Sequence, residues 1–419
     1  MSTRPFRHRL LALALVGLLA PVTQAQTLED WLPSTAQVAP VLQASPLIQS
    51  ARGRQEAQLQ RARGLEAGSG EWAVRLNQQQ RRVRDPQERF AETTLALERP
   101  LRLWGKADMD ARLAEQDREV ARIGLADALH EASRTLLTQW FGALRARLDA
   151  DNAERELQLA RELDRQAQVR LRQGDVSQLD ARLAKAELQR SEATSRLAQA
   201  ELQRSIAQLQ RLYPGLPQPR GPEDDVPTPA LPAQPLEAAL QDFLTHHHEL
   251  NLLRAEARRQ QQLAERLERD RWPDPTVGFY TARERAGSEQ LAGVSVAVPL
   301  SGTYRESQAR AALAEAHALA QQVQQLERQL TADFEARWQQ LAQQAQALVA
   351  LRAAAATQRL AADKSLTAYT LGEHSMTELI QNRRLANEQQ LASQRLLLDS
   401  LHNQARIELD THRLWDLDD

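Results

Sequence analysis

Two motifs recur in this 419-residue chain at nearly one spacing, and that repetition limits the fold more than composition does. Gly174, Asp175, Ser177 and Asp180 are matched by Gly372, Glu373, Ser375 and Glu378, each 198 positions further on. Pro100-Leu101 is matched by Pro299-Leu300, 199 positions further on. Separate landmarks sharing one offset indicate a unit written twice, since a short-period solenoid would show many more copies. The proline-dense stretch 213–235 divides the copies, and proline at that density reads as an extended linker.

The same order is expected on both sides of the linker. The first unit, 26–212, begins with a polar-apolar helical pattern. It continues with strands at about 72–82 and 90–99, then helices at about 106–172 and 177–212. The second unit, 236–419, has strands at about 276–283 and 290–298 and helices at about 305–371 and 375–415. A long helix of this kind reaches about 100 Å at 1.5 Å per residue. The two shorter helices of each unit sum to nearly the same length, so they can stack end to end beside it. The expected fold is mainly α with a small β part, built as a tall cylinder.

The strands carry one apolar and one small or polar face. Trp72, Val74 and Leu76 alternate with Ala73, Arg75 and Asn77, and Leu95 and Leu97 with Thr94, Ala96 and Glu98. Val277 and Phe279 alternate with Gly278 and Tyr280, and Val294, Val296 and Val298 with Gly293, Ser295 and Ala297. Such a pattern suits a soluble hairpin or a membrane barrel wall with apolar groups toward lipid. Four strands cannot close a barrel, and open edges are not tolerated in hydrocarbon. The barrel reading therefore requires several chains.

Composition sets the compartment and removes function classes. Arg4, Arg7 and Arg9, the apolar run from Leu10 to Ala20 and the small-residue site at Ala25 read as a secretory signal over 1–25. The chain has no cysteine, so neither a disulfide framework nor an N-terminal lipid acceptor is expected. Aromatics are only 4%, which fits long helices better than compact cores. A net charge of −2 gives no field to attract nucleic acid. His130-Glu131 opens like a zinc-protease helix, but Arg134 stands where the second ligand is needed. No phosphate loop or nucleophile elbow is present, so neither enzyme activity nor a cofactor is expected. His246, His247 and His248 are adjacent on one helix start, point in different directions and are expected to be solvated; no metal site is expected.

The long helix carries Leu125, Leu129, Leu136, Trp140, Leu144 and Leu148 at coiled-coil spacings, a plain core stripe. Gly174 and Gly372 suit a left-handed helix end. Ser177 with Asp180, and Ser375 with Glu378, match capping boxes that start the next helix. Capping accounts for these residues fully. Their presence at two equivalent tips also suggests an exposed end that a partner grips.

The signal, the duplication, the Pro-Leu strand ends and the Gly-x-x-Ser-x-x-acid tips together resemble the TolC-like outer-membrane efflux family, in particular its heavy-metal (CzcC-like) branch. The resemblance implies a homotrimer forming a twelve-stranded outer-membrane barrel continued by a helical tunnel across the periplasm. It implies that Gly174, Ser177, Gly372 and Ser375 lie at periplasmic tips where an adaptor (membrane fusion) protein docks. An inner-membrane pump of the resistance-nodulation-division type would complete the system. Asp180 and Tyr369 match one gate pair of the family, and Glu378 an acidic ring position. His374 and Gln381 depart from positions where members carry an arginine and a second acid. Metal cations and organic compounds both remain open as cargo. A soluble periplasmic coiled-coil or adaptor-type protein is the alternative.

Overall fold

The computed structural model describes residues 28–220, 228–300 and 302–417. The signal expected over 1–25 lies outside the described residues, as does the middle of the 213–235 linker. After a 3-10 turn at Leu28–Trp31, the first half runs α1 (Thr35–Gln43), α2 (Pro46–Ala67), β1 (Ala73–Arg84), β2 (Gln87–Pro100), α3 (Lys106–Gln173) and α4 (Gln178–Leu212). The second runs α5 (Leu236–His246), α6 (His248–Arg269), β3 (Thr276–Glu284), β4 (Glu289–Ala297), α7 (Thr303–Thr370) and α8 (Met376–Asp410). Lengths repeat with the order: α3 and α7 have 68 residues each, α4 and α8 35, and α2 and α6 22.

Local chemistry fixes the helix ends. Ser45 accepts a hydrogen bond from the Ile48 N–H at 3.3 Å with Pro46 in the first turn, which starts α2. Gly105 takes the left-handed conformation that lets the chain leave β2 and enter α3. α2 and α4 both pack along α3, and α6 and α8 along α7, so each long helix is flanked by two shorter ones. α3 also packs against α6 and α8, which joins the halves.

The four strands form one antiparallel sheet in the order β1-β2-β3-β4. The halves therefore meet through β2 and β3, paired from Thr93↔Arg283 to Pro100↔Thr276. β1 and β4 are the edges.

The main apolar core lies midway along the bundle, not beside the sheet. Leu136, Leu137, Trp140, Phe141 and Leu144 of α3 meet Val38, Ile48, Leu209, Leu401 and Trp415 there. Trp140 donates to the Trp31 carbonyl at 2.9 Å and Trp415 to the Pro33 carbonyl at 2.7 Å, tying both ends of the described chain to this level. Smaller clusters sit at the helix tips and between α5 and α7.

Polar contacts lock the sheet to the helices. Lys106, 1% exposed, places Nζ 3.1 Å from Asp270 Oδ1 and 2.9 Å from Asp274 Oδ2, and donates to the Trp272 carbonyl at 2.7 Å. Arg102 donates to the terminal α2 carbonyls of Leu65, Glu66 and Ala67 and pairs with Asp110 at 3.0 Å. No described helix is long and apolar enough to cross a membrane.

Candidate functional site

The strand register gathers the apolar residues into rows on one sheet face. Val74, Leu97, Phe279 and Val294 stand side by side across all four strands, with Leu76, Leu95, Thr281 and Ala292 in the next apolar-side row. This face is open: Val74 is 71% exposed, Phe279 63% and Val294 64%. The opposite face is polar and more enclosed. Glu92, 2% exposed, accepts from Gln79 at 2.9 Å and pairs with Arg81 at 2.9 Å, while Arg81 also reaches Glu284 at 2.9 Å. Arg75 pairs with Glu98 at 3.0 Å on the same side. Tyr280 lies across Gly293, where a Cβ would come within 2.6 Å of its ring. A half-solvated soluble sheet buries its apolar face and wets its polar one; here the arrangement is reversed.

At the helix-side end of the sheet, Trp72, Trp104, Trp272 and Tyr304 are all exposed. Trp104 and Trp272 lie 6.0 Å apart between ring centres, and Arg99 sits 5.4 Å over the Trp72 ring. Aromatic side chains of this kind collect where apolar surface meets water. Sequence reasoning used only Trp72, as a strand residue. The exposure of the others depends on how β2 and β3 bring 104 and 272 together.

The tips lie at the far ends of α3 and α7 and are built alike. Gly174 has φ 82° and Gly372 φ 81°. The Asp175 N–H donates to the Arg170 carbonyl at 2.9 Å, and Glu373 N–H to Ala368 at 2.9 Å, the six-to-one bond of a Schellman end. Ser177 Oγ then accepts from Asp180 N–H at 3.1 Å while the Ser177 N–H donates to Asp180 Oδ2 at 3.2 Å. Ser375 and Glu378 repeat this box at 3.2 and 2.7 Å. The Ser375 N–H, then its hydroxyl, hold the Glu378 carboxyl below its usual range.

Gly174, Ser177, Gly372, Ser375 and Glu378 are exposed, as are Leu179 and Leu371 beside them. Behind them Leu163, Ala167 and Ala184 of one hairpin pack on Tyr369, Met376, Leu379 and Ile380 of the other. Glu187 on α4 accepts from Arg384 on α8 as well as from its neighbour Arg190. No hydrogen bond joins Asp180 to Tyr369 among the described residues. The Asp180 carboxylate is engaged in its own cap, and the buried Tyr369 hydroxyl has no hydrogen-bond partner among the described residues. Arg170 stacks on the Tyr369 ring at 5.2 Å. Burial raises the Tyr369 hydroxyl above its usual range, with Arg170 opposing and Asp180 adding to the shift.

Of the three adjacent histidines, His246 is exposed as expected, and the other two are not. His247 is buried, caps α6 by accepting from Leu250 N–H at 3.3 Å, and is pushed down to about 3 by burial and Arg134. His248 meets His130 and His412, with one potential ligand atom of each within 4.8 Å of the others. No local spacing announces a group drawn from α3, α6 and the segment after α8.

No family model matches the chain, and no curated protein matches it. Solved structures do. A structure of the outer-membrane channel OprN superposes with a TM-score of 0.74 at 16% identity, covering 92% of this chain and 91% of that one. A structure of CusC, from work on its folding and transmembrane channel formation, gives 0.71 at 14% identity, covering 94% of each. The Campylobacter jejuni CmeC outer membrane channel gives 0.69 at 12% identity, covering 99% of this chain and 94% of that one. The chain therefore has the fold of an outer-membrane channel protomer, as the resemblance to the TolC-like family implies.

Proposed function

We propose that three copies of this chain form an outer-membrane exit duct, a twelve-stranded barrel continued by a helical tunnel into the periplasm, with no catalytic role. The observation that carries the reading is the reversed sheet. Its apolar face is exposed and its charged face is the more enclosed one, which suits lipid outside and water inside. The free edges of β1 and β4 fit it too, since unpaired backbone in hydrocarbon costs several kcal/mol per group and β1 of one copy can pair with β4 of the next. Residues 26–212 and 236–419 then act as two repeats joined by the 213–235 linker.

The tips support the partners. Gly174, Ser177, Gly372 and Ser375, with exposed Leu179 and Leu371, offer two equivalent helical ends to a periplasmic adaptor's hairpin. A resistance-nodulation-division pump would feed the duct from the inner membrane. Asp180, Tyr369 and Glu378 are assigned to the gate. Heavy-metal cations are the cargo proposed on the resemblance to the metal branch, with organic compounds as the alternative. The deciding measurement is the native mass of the protein extracted from outer membranes in mild detergent. A trimer is expected; a monomer in the soluble periplasm would instead favour a coiled-coil structural protein.

A further inference from the structure

We infer that His130, His248 and His412 bind one divalent transition-metal cation that staples the two halves of the chain together at mid-height. Potential ligand atoms of the three imidazoles lie within 4.8 Å of one another. The rings are 5.2, 5.6 and 4.9 Å apart between centres for the pairs 130–248, 130–412 and 248–412. Nitrogens bound at about 2.0–2.1 Å in a tetrahedral zinc site stand about 3.4 Å apart. Side-chain rotations of no more than roughly 1.5 Å therefore complete the site.

Each ring comes from a fixed element. His130 lies in the middle of α3 and His248 is the first residue of α6. His412 sits just past α8 with φ 55°, a left-handed conformation uncommon for a side-chain-bearing residue. The turn that holds it is pinned by N–H bonds from Thr411, His412 and Arg413 back to Ile407, Leu409 and Glu408, and then by buried Trp415. Strain maintained by surrounding structure clusters at functional sites.

Carboxylates stand behind two of the rings. His130 Nε2 is 3.4 Å from Asp410 Oδ1, and His412 Nδ1 is 3.7 Å from Asp416 Oδ1. A carboxylate at one imidazole nitrogen is the usual support for a metal bound at the other. Asp410 is also held by Arg134 at 2.9 Å and Arg406 at 3.0 Å, so those cations are matched before they face the ion. A cavity of about 700 Å³ lies elsewhere, at the sheet base; the one beside the histidines is ≈ 530 Å³ and is lined by His246, His248, His412, Asp242 and Asp416. It gives the ion an entry path and room for a water as fourth ligand. Three imidazoles select zinc-like cations over magnesium or calcium, which prefer oxygen.

The test uses the full chain, without a histidine tag, in detergent after chelator treatment. Zinc titration should show one ion per chain and a rise of several degrees in the unfolding midpoint, with magnesium giving none. His130→Gln, His248→Gln and His412→Gln should each weaken zinc at least about tenfold, and His317→Gln should not. Cobalt bound to the unaltered chain should give a four-coordinate ligand-field spectrum, a readout independent of whether the variants fold. Absence of stoichiometric zinc, or zinc affinity in all three variants equal to that of the unaltered chain, would overturn the site. The native-mass result is separate: a trimer without zinc removes only the staple.

Discussion

Two residues with charge or potential charge in enclosed places show how single side chains hold this architecture. Burying the Lys106 ammonium costs several kcal/mol of solvation, which Asp270, Asp274 and the Trp272 carbonyl offset. Asp270→Asn with Asp274→Asn should cost about 3–5 kcal/mol, read as a lower urea midpoint, because it strands a buried charge. Lys106→Met should cost less, since both aspartates are partly exposed and can turn to water. An unchanged midpoint in the double variant would mean that the pairs contribute nothing. His402 stacks on Phe141 at 4.9 Å, and burial, then Arg406 and Arg337, push it down to about 4. Its folded value lies below the unfolded 6.5, so the unfolded chain takes the proton first. The stability it contributes is full above pH 6.5 and is lost as the pH falls toward 4. His402→Gln should flatten that part of the fall in melting temperature; an identical pH profile would rule the residue out.

At the scale of elements, the tips separate capping from gating. Ser177→Ala and Ser375→Ala remove a cap, each costing about 1 kcal/mol, and leave the tip charge in place. Asp180→Lys and Glu378→Lys reverse the charge. If these acids gate the duct, the charge reversals should raise single-channel conductance well above the serine variants. Equal conductance in both sets would point to frayed helix ends instead. The capping boxes were legible in the sequence because Ser177 and Asp180 are only three residues apart. The strands were legible except at the turn between them. β1 runs past 82 to Arg84, and β2 begins at Gln87, not near 90. The backbone ladder extends there without apolar alternation, so periodicity gave no signal.

Across the whole molecule, the reversed sheet makes a sharp prediction. Phe279→Arg places a charge on the apolar face and should cost about 2–4 kcal/mol per copy if that face meets lipid. Asn77→Arg, on the charged face beside Arg75, should be tolerated in a watery lumen. The yield of detergent-stable trimer from outer membranes checks both. Equal yields would argue against a lipid-facing surface. The exposed Trp72, Trp104, Trp272 and Tyr304 would mark the inner rim of that surface.

The sequence by itself determined what is local or periodic. Helix lengths follow from long runs without breakers, the reversals from Gly174 and Gly372 with their serine caps, and the strand faces from alternation at Val74, Leu97, Phe279 and Val294. Only the tertiary structure decided which separate residues meet. β2 pairs with β3 across the linker between the two halves, Lys106 finds Asp270 and Asp274, and His130, His248 and His412 converge. His246 is solvated as expected, whereas His247 is buried and His248 half-buried. Adjacent residues on one helix cannot share a ligand, but a single imidazole can meet others carried in by α3 and by the turn after α8. Such contacts depend on how long helices lie against one another, and no short window of sequence records that.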